Sequence, residues 1–263
     1  MTQSPRLSDA MVEGGGLSVD TWDGYTADML ALRCGVPRLE LFAETPSTLD
    51  VAHLRAESGA PAGTVVLADR QTAGRGRQGR TWSSESGRGV WVTVLERPQD
   101  RDALDVLSLR IGLRLAEALD AIAGEQVGVK WPNDLVVGGG KVAGILVEAR
   151  WAGASLGWVA IGVGVNVVAP VTVPDAAGLP SARRVDVLDA VVRSVRAAAA
   201  MAGHLSSQEL AGFARRDVLR GRAITSPASG TVAGIVSSGA LQVTTARGSE
   251  LCRAGTIRLV EDS

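Results

Sequence analysis

Residues 64–96 read TVVLADRQTAGRGRQGRTWSSESGRGVWVTVLE. The two ends, 64–69 and 90–96, are short apolar runs rich in valine, the pattern of buried strands. Between them, residues 70–89 hold five arginines and one acid, Glu85. No helical or alternating apolar period runs through this middle segment, so it predicts a long loop between two core strands. Glycine lets the backbone approach a ligand closely, and arginine presents a rigid fork of donors to carboxylate or phosphate. The expectation is a mobile loop that closes over an anion and is disordered when empty.

Outward from this loop the chain alternates strands and helices. Upstream, residues 38–44 (RLELFAE) alternate as a half-buried strand does, and Thr45-Pro46-Ser47-Thr48 opens a helix ending near Gly59. Ser47 and Asp50 fit a helix-capping pair, the alternative being that the hydroxyls at this strand end face a ligand. Residues 1–37 form a weakly patterned extension, broken at residues 14–16, with room for a short helix at 25–33. Downstream, Leu104, Leu107, Ile111, Leu115 and Leu119 mark one buried face of a helix over 104–122. Residues 127–137 (VGVKWPNDLVV) read as two short strands around a Pro-Asn-Asp turn, with Lys130 and Trp131 at a buried strand end. Two more strands follow at 141–150 and 157–168, then a proline-rich loop at 169–184 and helices from 186 and 207. From residue 221 the texture becomes short strands with Gly and Ser turns, the pattern of a small five-stranded barrel of SH3 type. These signals divide the chain into an extension (1–37), a main domain (38–219) and a C-terminal domain (220–263).

Composition narrows the function. Of 263 residues 46% are apolar, enough for a substantial core. The formal net charge is −1, so nothing drives the whole chain towards DNA or an anionic membrane, and local charge must do any anion binding. Cys34 and Cys252 have no metal-ligand spacing, and no stretch is long and apolar enough to span a membrane. With no leader-like start, the chain is expected to be cytoplasmic, with reduced thiols.

Several motifs fail on inspection. Gly74 to Gly79 spell a dinucleotide fingerprint, but a helix must follow its glycines and here a loop and a strand do. Residues 138–141 hint at a phosphate loop, but Val142 stands where Ser or Thr is required. His53 and His204 are the only histidines, each predicted on a helix and read as a surface residue, and no nucleophile elbow is present. What remains is a set of strand-end groups: Arg75, Arg77, Arg80, Lys130, Lys141, Asn133, Asp134 and Asn166. Such a set suits a reaction between two anions, a carboxylate and a nucleotide phosphate, where neutralising and aligning them is the main task.

Four segments also carry a family resemblance. GRGRQGRTW (74–82), KWPNDL (130–135), KVAGILVE (141–148) and IGVGVN (161–166) resemble, in order, the motifs of biotin–protein ligases. The resemblance spans roughly 38–262 and implies an α+β fold: a mixed sheet with helices, related to class II aminoacyl-tRNA synthetases, plus the small SH3-like domain. The lack of a DNA-binding segment resembles the non-repressor class. It implies two steps: biotin and Mg-ATP give biotinyl-AMP and pyrophosphate, then a lysine of a biotin carboxyl carrier protein takes the biotinyl group. By the same resemblance Lys141, Arg75 and Arg77 would be catalytic. Biotin would meet Ser47, Thr48, Gln71, Gly74, Arg75, Gly76, Arg77, Lys141, Gly144 and Gly162. ATP and the adenylate would meet Arg77, Arg80, Trp82, Lys130, Asn133, Asp134 and Asn166, with Mg²⁺ carried on the phosphates and Asp134 a further candidate ligand. The chain departs from the family at Leu49, usually Asn, and at Thr256-Ile257, often Glu-Val. A monomer or weak homodimer is expected. A lipoate or octanoate ligase is the nearest alternative, and a nucleic-acid-binding module using the 70–88 loop is the alternative of another class.

Overall fold

The computed structural model describes residues 11–12, 16–98, 100–153 and 155–260. The expectations for residues 1–10 and for the glycines at 14 and 15 lie outside them. In chain order the elements are β1 (Met11–Val12), β2 (Gly16–Ser18), β3 (Thr21–Trp22), β4 (Tyr25–Thr26), α1 (Ala27–Cys34), β5 (Arg38–Thr45), α2 (Thr48–Glu57), β6 (Thr64–Gln71), β7 (Gly89–Glu96), α3 (Arg101–Asp105), α4 (Leu107–Ala123), β8 (Gly128–Lys130), β9 (Asp134–Val137), β10 (Gly140–Ala152), β11 (Ser155–Asn166), α5 (Arg184–Ala199), α6 (Ser207–Arg216), β12 (Ala223–Ser226), β13 (Gly230–Ile235), β14 (Leu241–Thr245), β15 (Gly248–Cys252) and β16 (Arg258–Leu259).

Nine strands form one mixed sheet in the order β1-β2-β5-β6-β7-β11-β10-β9-β8. The β5–β6 pair is parallel, with α2 as its crossover, and every other pair is antiparallel. β7 is buried at all eight positions, which is why it reads as an unbroken apolar run. Side-chain alternation sends Val65, Leu67, Ile161 and Val163 into the main core with α4 and α5. Val66, Ala68 and Ala160 point the other way, onto Leu49, Val51 and Ala52 of α2. α2 covers only part of that second face, and the cleft occupies the rest.

The extension is built into the sheet: β2 pairs with β5, and Leu30 and Cys34 of α1 join the main core. The single helix expected over 104–122 is two, because Val106 leaves helical geometry at φ −108°, ψ 0°. His204 lies in the connection between α5 and α6, not on a helix. The last five strands form an antiparallel sheet in the order β15-β14-β13-β12-β16. Its Ile224, Val232, Leu241 and Val243 belong to the same core as α4, so apolar packing is continuous across residue 220. The architecture is α+β, a large mixed sheet with helices and a small C-terminal antiparallel sheet. No described helix is long and apolar enough to cross a membrane.

Candidate active site

The floor of the cleft is a patch of sheet without side chains. Gly144 on β10 pairs with Gly164 on β11, and Gly162 pairs with Leu146 two residues along. Residues two apart on a strand share a face, so all three glycines open the same face. A Cβ at Gly144 would stand 2.8 Å from the Trp82 ring, and one at Gly164 would stand 2.5 Å from it. At Gly162 it would meet Leu49 at 3.2 Å. The floor therefore admits two flat or apolar groups of the protein itself, the Trp82 indole and the Leu49 side chain. Leu49 is buried at the start of α2, where the resemblance had an amide.

One end wall is polar and closely bonded. Gln71 Oε1 accepts from the Thr48 backbone N–H at 2.9 Å and from its hydroxyl at 3.1 Å, and Gln71 Nε2 donates to Ser84 Oγ at 2.8 Å. Thr93 Oγ1 bonds Thr48 Oγ1 at 2.8 Å. Ser47 heads α2 through its backbone alone; the capping bond expected with Asp50 does not form. Its Oγ is buried at the cleft wall and has no hydrogen-bond partner among the described residues. A buried hydroxyl in that state costs stability unless a ligand or water completes it.

The arginine segment has a defined course. Backbone bonds tie Thr72 and Ala73 to Thr45 and Pro46, and Trp82 N–H donates to Gly74 O at 2.9 Å. Arg75 and Thr81 form a bridge, and residues 77–79 make one 3-10 turn with Gln78 at φ +57°. Gly74 is thus part of the closure and does not line the cleft: a Cβ there would sit 2.6 Å from Trp82 O. The tip is held from the small sheet, where Arg80 donates to Thr256 Oγ1 and Thr256 donates to Gln78 Oε1, both at 2.9 Å.

The cations divide into two kinds. Arg75 faces carboxylates, Asp50 at 2.6 Å and Glu148 at 3.5 Å. Burial alone would lower its pKa, but these partners outweigh burial and raise it. Both of its terminal nitrogens thus face protein acids while it also lines the cleft. Arg77 donates to Asn133 Oδ1 at 3.2 Å, and Asn133 is itself fixed by bonds to and from Ile145. Burial pushes the pKa of Arg77 down despite nearby Asp134. Lys141 sits 2.7 Å from Asp134 and 5.0 Å from the Trp82 ring centre. Among the described residues no carboxylate stands within ion-pair distance of Arg77, Arg80 or Lys130, leaving these three to meet an anion.

Asn166 lies outside this cleft. It is buried, bonds Lys141 O at 3.4 Å, and lines an adjoining cleft. The two clefts share Thr81, Trp82, Lys130, Asp134 and Lys141 as their common wall. Sequence reasoning missed Asp50, Glu148 and Gly164, although Glu148 shares its strand face with Gly144 and could have been found by alternation. It also misread His53, which is buried against Glu148 and Trp158. Thr256 was noticed only as a departure from the family motif, and nothing local marks it as a partner of residues 78 and 80.

This glycine floor between a hydroxyl wall and a row of cations sits in a fold shared with solved biotin protein ligases. Residues 41–166 match the biotin/lipoate A/B protein ligase family. The biotin–[acetyl-CoA-carboxylase] ligase of Mycobacterium tuberculosis is 40% identical over 153 residues, 55% of this chain and 56% of that protein. The bifunctional ligase/repressor BirA of Bacillus subtilis is 41% identical over 122 residues, 46% of this chain and 38% of that protein. The chain thus spans about half or less of the length of these relatives. Among solved structures, a biotin protein ligase from Aquifex aeolicus in complex with biotin and ATP superposes with a TM-score of 0.71 at 26% identity, covering 86% of this chain and all of that one. A Leishmania major biotin protein ligase in complex with biotinyl-5-AMP gives 0.58 at 25% identity, covering 86% and 99%.

Proposed function

We propose that this chain is an ATP-dependent biotin–protein ligase. The observation that carries the reading is the glycine floor of Gly144, Gly162 and Gly164, on which the Trp82 ring and Leu49 lie, lined also by Ser47, Thr48 and Gln71 and by Lys141, Arg77 and Lys130. A flat ring with a polar edge fits the hydroxyl end, and its carboxylate would then reach towards the cations. The carboxylate oxygen attacks the α-phosphorus of ATP, the bond to the bridging oxygen breaks, and pyrophosphate leaves. A carrier lysine amine, deprotonated, then attacks the acyl carbon and releases AMP. Each step gathers negative charge, and preoriented cations in a half-buried cleft stabilise it most where it develops.

Lys141 is the residue best placed to bridge carboxylate and α-phosphate, once an anion draws it from Asp134. Arg77, held by Asn133, would serve the phosphates together with Lys130 and Arg80. Trp82, on the wall shared with the second cleft, would lie over the adenylate, and Asn166 would serve from that second cleft by fixing the Lys141 backbone. Arg75 would anchor the loop. Ser47, Thr48 and Gln71 would meet the ring. No three His, Cys, Asp or Glu side chains stand close enough to hold a metal among the described residues, so Mg²⁺ would arrive on the ATP phosphates, with Asp134 the nearest added ligand.

The test is direct. Pure protein with biotin, Mg-ATP and a biotin carboxyl carrier domain should yield biotinylated carrier and biotin-dependent pyrophosphate. Neither product from folded protein would end the reading. Lipoate or octanoate in place of biotin separates the sister activity of the same family.

A further inference from the structure

One chain of polar groups runs from a tryptophan and a buried histidine to Arg75 at the cleft wall. Trp158 on β11 donates its Nε1–H to His53 Nδ1 at 2.9 Å. That bond makes Nδ1 the acceptor, so the ring proton sits on Nε2. Nε2 then donates to Glu148 Oε2 at 2.8 Å. Both oxygens of Glu148 lie 3.5 Å from Arg75 Nη2, while Arg75 Nη1 donates to Asp50 at 2.6 Å. Asp50 and His53 stand three apart on α2 and so share its face. The His53 side chain is 8% exposed and that of Glu148 22%, so the His53–Glu148 end is shielded from water, while Arg75 and Asp50 are partly exposed. Arg150 touches Glu148 more distantly, at 3.8 Å.

We propose that His53 is a positioning residue: with Trp158 it orients Glu148, which with Asp50 fixes Arg75 and so the root of the 75–81 hairpin. The physical reason is economy of rotamers. A carboxylate at a cleft margin has several orientations, and Arg75 gains two carboxylate partners only when Glu148 is turned towards it. A hydrogen bond from His53 selects that rotamer in advance. Arg75 bridges Thr81, so its position is passed to Arg77 and Arg80 at the tip. In catalytic terms, which rest on the function proposed above, a loosened hairpin lets the activated acid escape before transfer.

The test uses the whole chain and two readouts. The first needs no ligand: limited trypsin digestion, with cleavage after Arg75, Arg77 and Arg80 mapped by mass spectrometry. His53→Leu should raise cleavage there by about tenfold, the size expected from losing one charge-assisted hydrogen bond. Cleavage elsewhere should stay unchanged. His53→Gln, which keeps an N–H donor, should restore protection. The second readout is the dissociation rate of biotinyl-AMP, which should rise about as much in His53→Leu, with a smaller change in the rate of adenylate formation. If His53→Leu does not fold, Glu148→Gln, which weakens the bond to Arg75 at constant shape, should give the same loop-specific cleavage. Unchanged hairpin cleavage in a folded variant, or no recovery with His53→Gln, overturns the proposal. A wild-type protein that makes no adenylate refutes the ligase reading and leaves the trypsin result to decide the relay.

Discussion

Among the described residues of the cleft, Lys141 carries the one ammonium paired with a carboxylate, Asp134 at 2.7 Å, and it stays partly exposed. An incoming carboxylate or phosphate competes with Asp134 for it, which keeps the cation in place without burying it. Lys141→Ala should cut biotin-dependent pyrophosphate release about a hundredfold or more, the range seen when one charge stabiliser is removed. Its thermal midpoint should stay close to wild type, since no core atom is lost. Unaltered release would refute the assignment. Gly164→Ala tests the floor. Its methyl would press on the Trp82 ring, and KM for biotin should rise about tenfold while kcat falls less. At this scale the motif residues were legible because cations and glycines at strand ends have few structural duties. Their partners were not, because Asp50 and Glu148 look like ordinary surface acids until α2 and β10 are brought together.

The elements were legible where apolar periodicity was strong, as in β6, β7, β11 and α4. They were less so where a tertiary partner decides. β2 is three residues long and forms a strand only because β5 offers it an edge. α4 is tied to α6 by a pair that no local pattern marks: Arg110, 1% exposed, bonds Glu209 at 2.6 Å and the carbonyls of Gly203 and His204. Glu209 also completes the capping box with Ser206. Glu209→Ala would strand a buried guanidinium and should cost about 3–5 kcal/mol in urea unfolding. The double variant Arg110→Met/Glu209→Leu should cost clearly less, because no charge is left unpaired. Equal losses from the two would show that packing, not charge, decides there.

Across the whole molecule, acid is the expected weakness. The hydrogen bonds from Arg216 hold Asp120 below its ordinary value of 3.8. At Asp69 and Glu209 burial pulls the other way, but hydrogen bonds from Ser86 and Arg184, and from Arg110 and Ser206, leave both carboxyls lowered. A carboxylate with a depressed folded pKa adds stability above its unfolded pKa and loses it as pH falls through the folded value. The urea midpoint should therefore fall steeply below about pH 4. Asp120→Asn should flatten that limb and lower the plateau at neutral pH. A limb of wild-type slope in that variant would remove Asp120 from the account. The indole of Trp82 has a last consequence. Of the six tryptophans, Trp22, Trp91 and Trp131 are buried, while Trp151 and Trp158 lie at the far end of the β10–β11 hairpin. Trp82 alone rests on the glycine floor with an ammonium near its face. Anything that takes the floor must move that ring, so the emission colour of the unlabelled protein should change as the cleft fills, and Trp82→Phe should abolish the change. The chain would then carry its own optical gauge of occupancy, readable without a carrier, a radiolabel or turnover.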